Sequence, residues 1–176
     1  MAPTIRSATH ADLPAIVAIY NEAGVGTTAS YDIEPVDLKN RRIWFDKLKA
    51  ADFPVLVLED PAEGGVIGYA SFGPFREKAG YAYTVEHSVY VAEGRRAAGA
   101  GRMLMTALID YARGHGVHVM VGVLDAENAA SRAFHQRLGF VESAVLPQVG
   151  RKFERWLDVV FVTMIFPDGH QHVPFE

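Results

Sequence analysis

The chain contains no cysteine among its 176 residues. That removes disulfides, thiolate metal sites and any covalent cysteine intermediate at once. No apolar run approaches the ~18 residues that a membrane-spanning helix requires. The opening Met1-Ala2-Pro3-Thr4-Ile5-Arg6 has no basic stretch leading into an apolar one, so no secretory signal is expected and the cytoplasm is the expected compartment. Positive charge is not in excess either: the formal net charge is −4, which argues against nucleic acid as a partner, because phosphate neutralisation needs a basic surface. There is no internal repeat and no low-complexity linker. What is present is 49% apolar and 22% charged, an ordinary globular balance, in a length that fits one domain with a substantial core.

The charge is unevenly spread. Arg95, Arg96 and Arg102 lie between Glu93 and Asp110 with no acid among them, a patch suited to a small local anion rather than a polymer. Hydrophobic periodicity divides the chain as follows. Thr9 with Asp12 reads as a capping box, and Leu13, Ile16, Val17 and Tyr20 predict a helix over about 11–23. A loop over 24–32 is followed by a second helix from Pro35 to about Ala50. Strands over 55–58 and 66–72 form a hairpin across Asp60-Pro61 and Gly64-Gly65. A long strand over 83–91 enters a Gly-rich turn, from which a helix rises with Leu104, Leu108, Ile109 and Ala112 on one face, ending at Gly114 and Gly116. A strand over 117–123, a helix opened by Asn128 and closed by Gly139, and strands near 140–145 and 156–166 complete one α/β (α+β) domain over 1–166. Residues 167–176 form a polar tail whose His170 and His172 do not amount to a metal site, and no metal is expected.

A strand that enters a Gly-rich turn opening a helix is an anion site, because unpaired N–H groups converge there and the helix dipole favours negative charge. A P-loop would need lysine and a hydroxyl residue after Gly99, where Ala100-Gly101 stand; a dinucleotide fingerprint would need glycine where Leu104 stands. The pattern that fits is Arg96-Ala97-Ala98-Gly99-Ala100-Gly101, followed by Arg102. Downstream, Asn128-Ala129-Ala130-Ser131 and Phe134-His135-Gln136-Arg137-Leu138-Gly139-Phe140 recur at matching spacing. Together these resemble the acetyl-CoA motifs of the GCN5-related N-acetyltransferase superfamily. The resemblance implies a central, mostly antiparallel mixed sheet flanked by helices and splayed between strands 83–91 and 117–123. It implies acetyl-CoA as the acetyl donor, held by residues 96–102, by Asn128 and Ser131, and by the free edge of Val89, Tyr90 and Val91, with the Val91 N–H aimed at the thioester carbonyl.

Alternation along Thr84-Val85-Glu86-His87-Ser88-Val89-Tyr90-Val91 puts Thr84, Glu86, Ser88 and Tyr90 on one face. A carboxylate in the middle of a buried strand is costly unless paired or used. Acetyl transfer needs a deprotonated amine, so Glu86 has a task as base, directly or through water, beside the blander alternative of a structural ion pair. His135 stands where many superfamily members carry tyrosine, and is the second catalytic candidate, as acid toward the thiolate or as an aid to deprotonation.

The match narrows over residues 4 to 166. Ile19-Tyr20-Asn21-Glu22-Ala23, Thr27-Thr28-Ala29, Gly68-Tyr69-Ala70, Phe75-Arg76, His118-Val119-Met120 and Val149-Gly150-Arg151-Lys152-Phe153 resemble the phosphinothricin and L-methionine sulfoximine/sulfone N-acetyltransferases. That resemblance implies a small amino-acid acceptor attacked directly in a ternary complex, and a homodimer. It implies an acceptor pocket built from Tyr31, Phe75, Arg76, Tyr81, Thr84, Lys152 and Phe153, with Arg76 as the anion contact. Glu154 departs from the pattern, which expects glycine there. Two other readings remain open at this level: a polyamine or protein-amine acceptor on the same fold, and a module that binds acetyl-CoA without turning it over.

Overall fold

Residues 2–95 and 99–167 are described in the computed structural model. Seven strands form one sheet in the order β1-β2-β3-β4-β5-β7-β6. They are β1 (Thr4–Ser7), β2 (Val55–Asp60), β3 (Gly65–Pro74), β4 (Thr84–Val91), β5 (Val119–Asp125), β6 (Val141–Lys152) and β7 (Arg155–Ile165). Strands β1 to β4 are an antiparallel meander, β4 and β5 are parallel, and β5, β7 and β6 are again antiparallel. The helices are α1 (Leu13–Ile19), α2 (Leu38–Ala50), α3 (Ala100–Gly114) and α4 (Ala129–Leu138).

Helix α3 crosses from β4 to β5 with Leu104, Met105, Leu108, Ile109 and Ala112 buried, the one-sided stripe expected from its spacing. That stripe shares one core with Tyr69 and Phe72 of β3 and with Leu13 and Ile16 of α1. Each such fully buried large side chain contributes roughly 1.5–3 kcal/mol.

The first helical run is more varied than its periodicity predicts. A 3₁₀ turn over His10–Asp12 precedes α1, and a π-helical turn over Tyr20–Val25 follows it, so Gly24 and Val25 belong to the helix rather than to the loop. The Asp12 carboxylate accepts from the Thr9 N–H at 2.8 Å, as the capping box requires. It also pairs with both terminal nitrogens of Arg6 at 2.8 Å. The second helix begins three residues later than Pro35 suggests, because Asp37 caps it, its Oδ1 accepting from the Asn40 N–H at 2.7 Å.

The sheet splits where the resemblance places the split. Between β4 and β5 only Thr84, Val85 and Glu86 are paired, with Val119, Met120 and Val121. The next position would set His87 against Gly122, and from there the strands diverge while β4 stays paired to β3 as far as Val91. Beyond Glu86, the edge of β4 that faces β5 therefore carries unpaired backbone groups.

Candidate active site

Two adjoining cavities open in this fork. One, of about 330 Å³, is lined by Glu86, His87 and Ser88 of β4, by Leu124 and Asp125 of β5, by Tyr20, and by Ser30 and Tyr31 of the loop after the π-helical turn. The other, of about 350 Å³, reaches Val91, Gly101 at the start of α3, Thr27, Thr28 and Phe134. Ala29, Val89, Tyr90, Asn128, Ser131 and His135 line both. The layout is that of a two-substrate site: a passage along the open edge of β4 leads to a smaller chamber, with His135 at the junction.

The titratable groups there are tuned by burial. The Glu86 carboxyl is pushed above the usual carboxylate range by desolvation, while the charge of Arg76 pulls it back. A carboxylate of raised pKa is a stronger base and so better matched to taking a proton from an amine. His135 is 2% exposed, and desolvation lowers its pKa, opposed by its bond to the Ser131 backbone. Its Nδ1 lies 2.8 Å from the Ser131 carbonyl oxygen. A carbonyl only accepts, so Nδ1 carries the proton of the neutral ring and Nε2 carries the lone pair. Nε2 is buried and has no hydrogen-bond partner among the described residues.

Behind His135 stands a second imidazole. The His87 ring stacks on it, with centroids 5.0 Å apart and planes within 7°, and Phe140 presents its ring edge-on to both. Burial first, and the neighbouring His135 second, hold the His87 pKa down to about 3, so the ring is neutral at any physiological pH. The sequence reading placed His87 on the opposite strand face from Glu86 and gave it no role. Asp125 was missed as well. It is 5% exposed and its Oδ2 accepts from Thr28 Oγ1 at 2.5 Å. The available signal was its place three residues before Asn128, at the end of the strand.

The cradle is described only from Gly99 onward; Arg96, Ala97 and Ala98 lie outside the described residues. Gly99 sits at φ +78°, a left-handed conformation that favours glycine, and α3 starts at Ala100 with no acid in its first turn. Arg102 is exposed. Arg95 is committed elsewhere, in a two-pronged ion pair with Glu63. Asn128 caps α4, its Oδ1 accepting from the Ser131 N–H at 3.0 Å, which leaves its amide nitrogen as a donor toward the cavities.

The acceptor residues expected from sequence are not brought together. Tyr31 lines the smaller chamber, and its buried hydroxyl has no hydrogen-bond partner among the described residues. Phe75, Arg76, Tyr81 and Thr84 form a separate cluster at the far end of β4, none of them lining either cavity. There Arg76 lies 4.3 Å over the Phe75 ring, Phe75 and Tyr81 meet edge to face, and the Phe75 N–H donates to the Thr84 carbonyl at 3.2 Å. Lys152 is 4% exposed, with its ammonium against backbone carbonyls of the loop that walls the cavities. Phe153 is 56% exposed at the tip of the β6–β7 hairpin. Among the described residues no cluster of side chains suited to a metal ion occurs.

This fork, with a carboxylate and an imidazole on its walls and a Gly-rich helix start beside it, is the arrangement of an acetyltransferase, and comparison with known proteins agrees. Residues 16–140 match the model of the acetyltransferase (GNAT) family. The chain is 51% identical over 164 residues to the L-methionine sulfoximine/L-methionine sulfone acetyltransferase of Pseudomonas aeruginosa, an alignment covering 93% of this chain and 95% of that one. The solved structure of a ribosomal-protein-alanine N-acetyltransferase from Brucella melitensis is 49% identical, with TM-score 0.89 and coverage of 93% and 99%. A phosphinothricin acetyltransferase from Sinorhizobium meliloti, solved in complex with acetyl-CoA, is 31% identical, with TM-score 0.91 and coverage of 100% and 95%. The chain belongs to the GNAT acetyltransferase family. It is an N-acetyltransferase of that fold, with the mixed, mostly antiparallel sheet that its sequence led one to expect and one further strand, β1, that it did not.

Proposed function

We propose that the protein transfers the acetyl group of acetyl-CoA to the α-amine of a small amino acid such as methionine sulfoximine, methionine sulfone or phosphinothricin, by direct attack in a ternary complex. The observation that carries this reading is the position of Glu86 and His135 on the walls of one chamber of about 330 Å³, a volume that suits an amino acid.

The larger passage suits the pantetheine arm. It runs along the unpaired edge of β4, where Val89 and Val91 offer backbone groups for strand-like pairing, and past Gly101 and the amide of Asn128. Residues 96–102 and the start of α3 then receive the phosphates. When bound, acetyl-CoA supplies the activated acyl group, and the remaining chemistry belongs to the chain. Glu86 accepts the amine proton, directly or through water. His135, neutral and with its lone pair on Nε2, is a second acceptor rather than a proton donor in its resting state. The Val91 N–H meets the charge that develops on the thioester oxygen. With no cysteine in the chain, no thiol carrier for an acetyl-enzyme exists, which favours the direct route.

Strand β6 is one edge of the sheet, and it leaves Val141, Val145 and Val149 66%, 55% and 59% exposed. An apolar edge of that length asks for cover, which supports the homodimer implied by the resemblance; sedimentation of the purified protein tests it.

A thiol-release assay with acetyl-CoA tests the function across free amino acids, a polyamine and a peptide beginning with alanine. The peptide is included because the Brucella relative bears the name of a protein acetyltransferase. Release with the sulfoximine, sulfone or phosphinothricin, and none with the peptide, is expected. Acetyl-CoA-dependent thermal stabilisation with no thiol released on any amine would replace the enzyme by a binding module. Glu86→Gln is expected to cut turnover about a hundredfold or more with acetyl-CoA affinity near that of the parent; equal loss of both would mark Glu86 as structural.

A further inference from the structure

One loop, residues 27–31, lines both cavities, with Thr27 and Thr28 on one, Ser30 and Tyr31 on the other and Ala29 on both, and loops of that kind are ordinarily the mobile part of a site. Here it is fixed by buried polar contacts. Thr28 Oγ1 donates to Asp125 Oδ2 at 2.5 Å. The Tyr20 hydroxyl, which bonds Asp32 Oδ2 at 2.5 Å, shares a 2.7 Å bond with Ser30 Oγ. The strongest anchor comes from the other end of the sheet. Lys152, near the end of β6, extends its ammonium under the loop and donates to the carbonyls of Thr27 at 2.6 Å and Ser30 at 2.7 Å, with Gly24 at 3.5 Å.

An ammonium has three protons and no acceptor, and three converging carbonyls use them all. Among the described residues no carboxylate lies within ion-pair distance of Lys152, although the charge of Asp32 acts on it from further away. The side chain is thus held by backbone, and the backbone it holds is the cavity wall. A second contact from the same strand repeats the relation. At Gly150, a Cβ would stand 2.2 Å from Tyr31 Cε1, so the Tyr31 ring lies directly on the β6 backbone.

We propose that Lys152, with Gly150, is a positioning device for the acceptor chamber. The last three residues of β6 set where Ala29, Ser30 and Tyr31 stand, and through them which acceptors fit. Lys152 therefore acts through the loop, not on the substrate, which revises its expected role as a direct contact. The inference rests on the acetyltransferase reading for its activity arm only.

Two variants test it. Lys152→Met removes the donors and keeps the stem; Gly150→Ala leaves the ammonium in place and displaces Tyr31. For both, KM for the amino-acid acceptor is expected to rise about tenfold or more: in Lys152→Met because hydrogen bonds to a charged group are among the stronger ones, in Gly150→Ala because the new methyl group and the Tyr31 ring cannot occupy the same space. KM for acetyl-CoA should stay within about threefold, and discrimination between acceptors of different size should narrow, as a loosened pocket wall implies. Lys152→Arg should restore part of the acceptor KM. Equal rises in both KM values, or an unchanged acceptor KM in Gly150→Ala, would overturn the proposal. Hydrogen exchange keeps it testable without any substrate. The Ala29 N–H donates to Thr27 Oγ1 and the Asp32 N–H to Ser30 Oγ; in Lys152→Met these amides should exchange about tenfold faster or more, with β3 and α3 unchanged. Unchanged exchange over 27–32 refutes the anchor. Absence of thiol release in the parent protein, with the exchange result intact, would instead refute only the acceptor reading.

Discussion

Gly122 is where the sheet divides, and Gly122→Ala is the change that tests whether the stacked imidazoles hold the fork open in its working shape. A methyl group there would stand 2.8 Å from His87 Nε2 and 2.8 Å from Val162 Cγ2, about 1 Å inside an ordinary contact. Neither neighbour can retreat freely. The His87 ring is stacked on His135 and faced by Phe140 at 5.3 Å, and Val162 is 1% exposed on β7. Overpacking of a close-packed site costs about 1–3 kcal/mol, and relief from the strand penalty of glycine offsets about 0.5–1 kcal/mol of it. The net loss, centred on about 1 kcal/mol, corresponds, in a domain of this size, to a melting temperature lower by roughly 2–4 °C. The strain passes through His87 to His135, so turnover should fall about tenfold or more, since small misplacements of a catalytic group are expensive. Acetyl-CoA should still stabilise the protein, because Gly101 and the open edge of β4 are untouched. Differential scanning fluorimetry with and without acetyl-CoA, followed by thiol-release kinetics, reads all three quantities. Gly114→Ala is the control: its Cβ meets nothing within 4 Å, and its melting temperature should match or exceed that of the parent. If Gly122→Ala behaves like this control, with unchanged stability and turnover, the imidazole stack is not a constraint and the reasoning fails.

Two further outcomes follow from groups held away from their preferred state. The His87 pKa of about 3 in the folded chain lies below its ordinary 6.5, so between those values the unfolded chain binds a proton that the folded chain refuses. Its contribution to stability is complete above pH 6.5 and is lost as pH falls toward 3, at about 1.4 kcal/mol per pH unit. Urea unfolding at pH 7.5 and pH 5 should show a shallower loss in His87→Phe than in the parent; parallel slopes would refute it. At the hairpin tip, Phe153 at φ +50° and Glu154 at φ +61° turn β6 into β7, a type I′ geometry that favours glycine at its second position. Glu154→Gly trades about 1–2 kcal/mol of left-handed strain against about 0.5–1 kcal/mol of glycine entropy. It should raise the melting temperature by about 1–3 °C; a fall would show that Glu154 makes a contact outweighing its strain.

How much of this was legible before the structure depended on the range of the interaction that decides each feature. Helix α3 and strand β4 could be read because their periodicity is local: Leu104, Leu108 and Ile109 repeat along one helix face, and Val85, His87 and Val91 alternate into the core. Strand β1 could not. Its four residues, Thr4–Ser7, are too few to show a period, and they are strand only because Ile5 and Arg6 pair with Leu58 and Val57 of β2. Strand β6 was cut short at Val145 for a related reason. A proline inside a strand is unfavourable, whereas β6 absorbs Pro147 in an irregularity between Leu146 and Gly150, with Gln148 at φ +55° and its N–H donating to Asp158 at 2.8 Å, and pairs again at Gly150 with Leu157. The site divides in the same way. Glu86 and Asn128 announce themselves by chemistry at a fixed place in a motif, a carboxylate in a buried strand and a cap before a helix. The contact between His87 and His135 joins residues 48 apart in sequence, and that between Lys152 and Ser30 joins residues 122 apart. Nothing local distinguishes His87 from any inward strand residue, and nothing local says that Lys152 is buried, since lysine is the side chain least expected there. Arg76 is the opposite case. The resemblance implies it as an anion contact, while the fold sets its guanidinium on the Phe75 ring, near enough to act on Glu86 by charge but outside both cavities. On the proposed reading, the residues that open the passage for the donor are motif residues, and those that shape the acceptor chamber are brought in by the fold from β6, β5 and the loop after α1. That division is why the sequence motifs point to acetyl-CoA and leave the acceptor as a class.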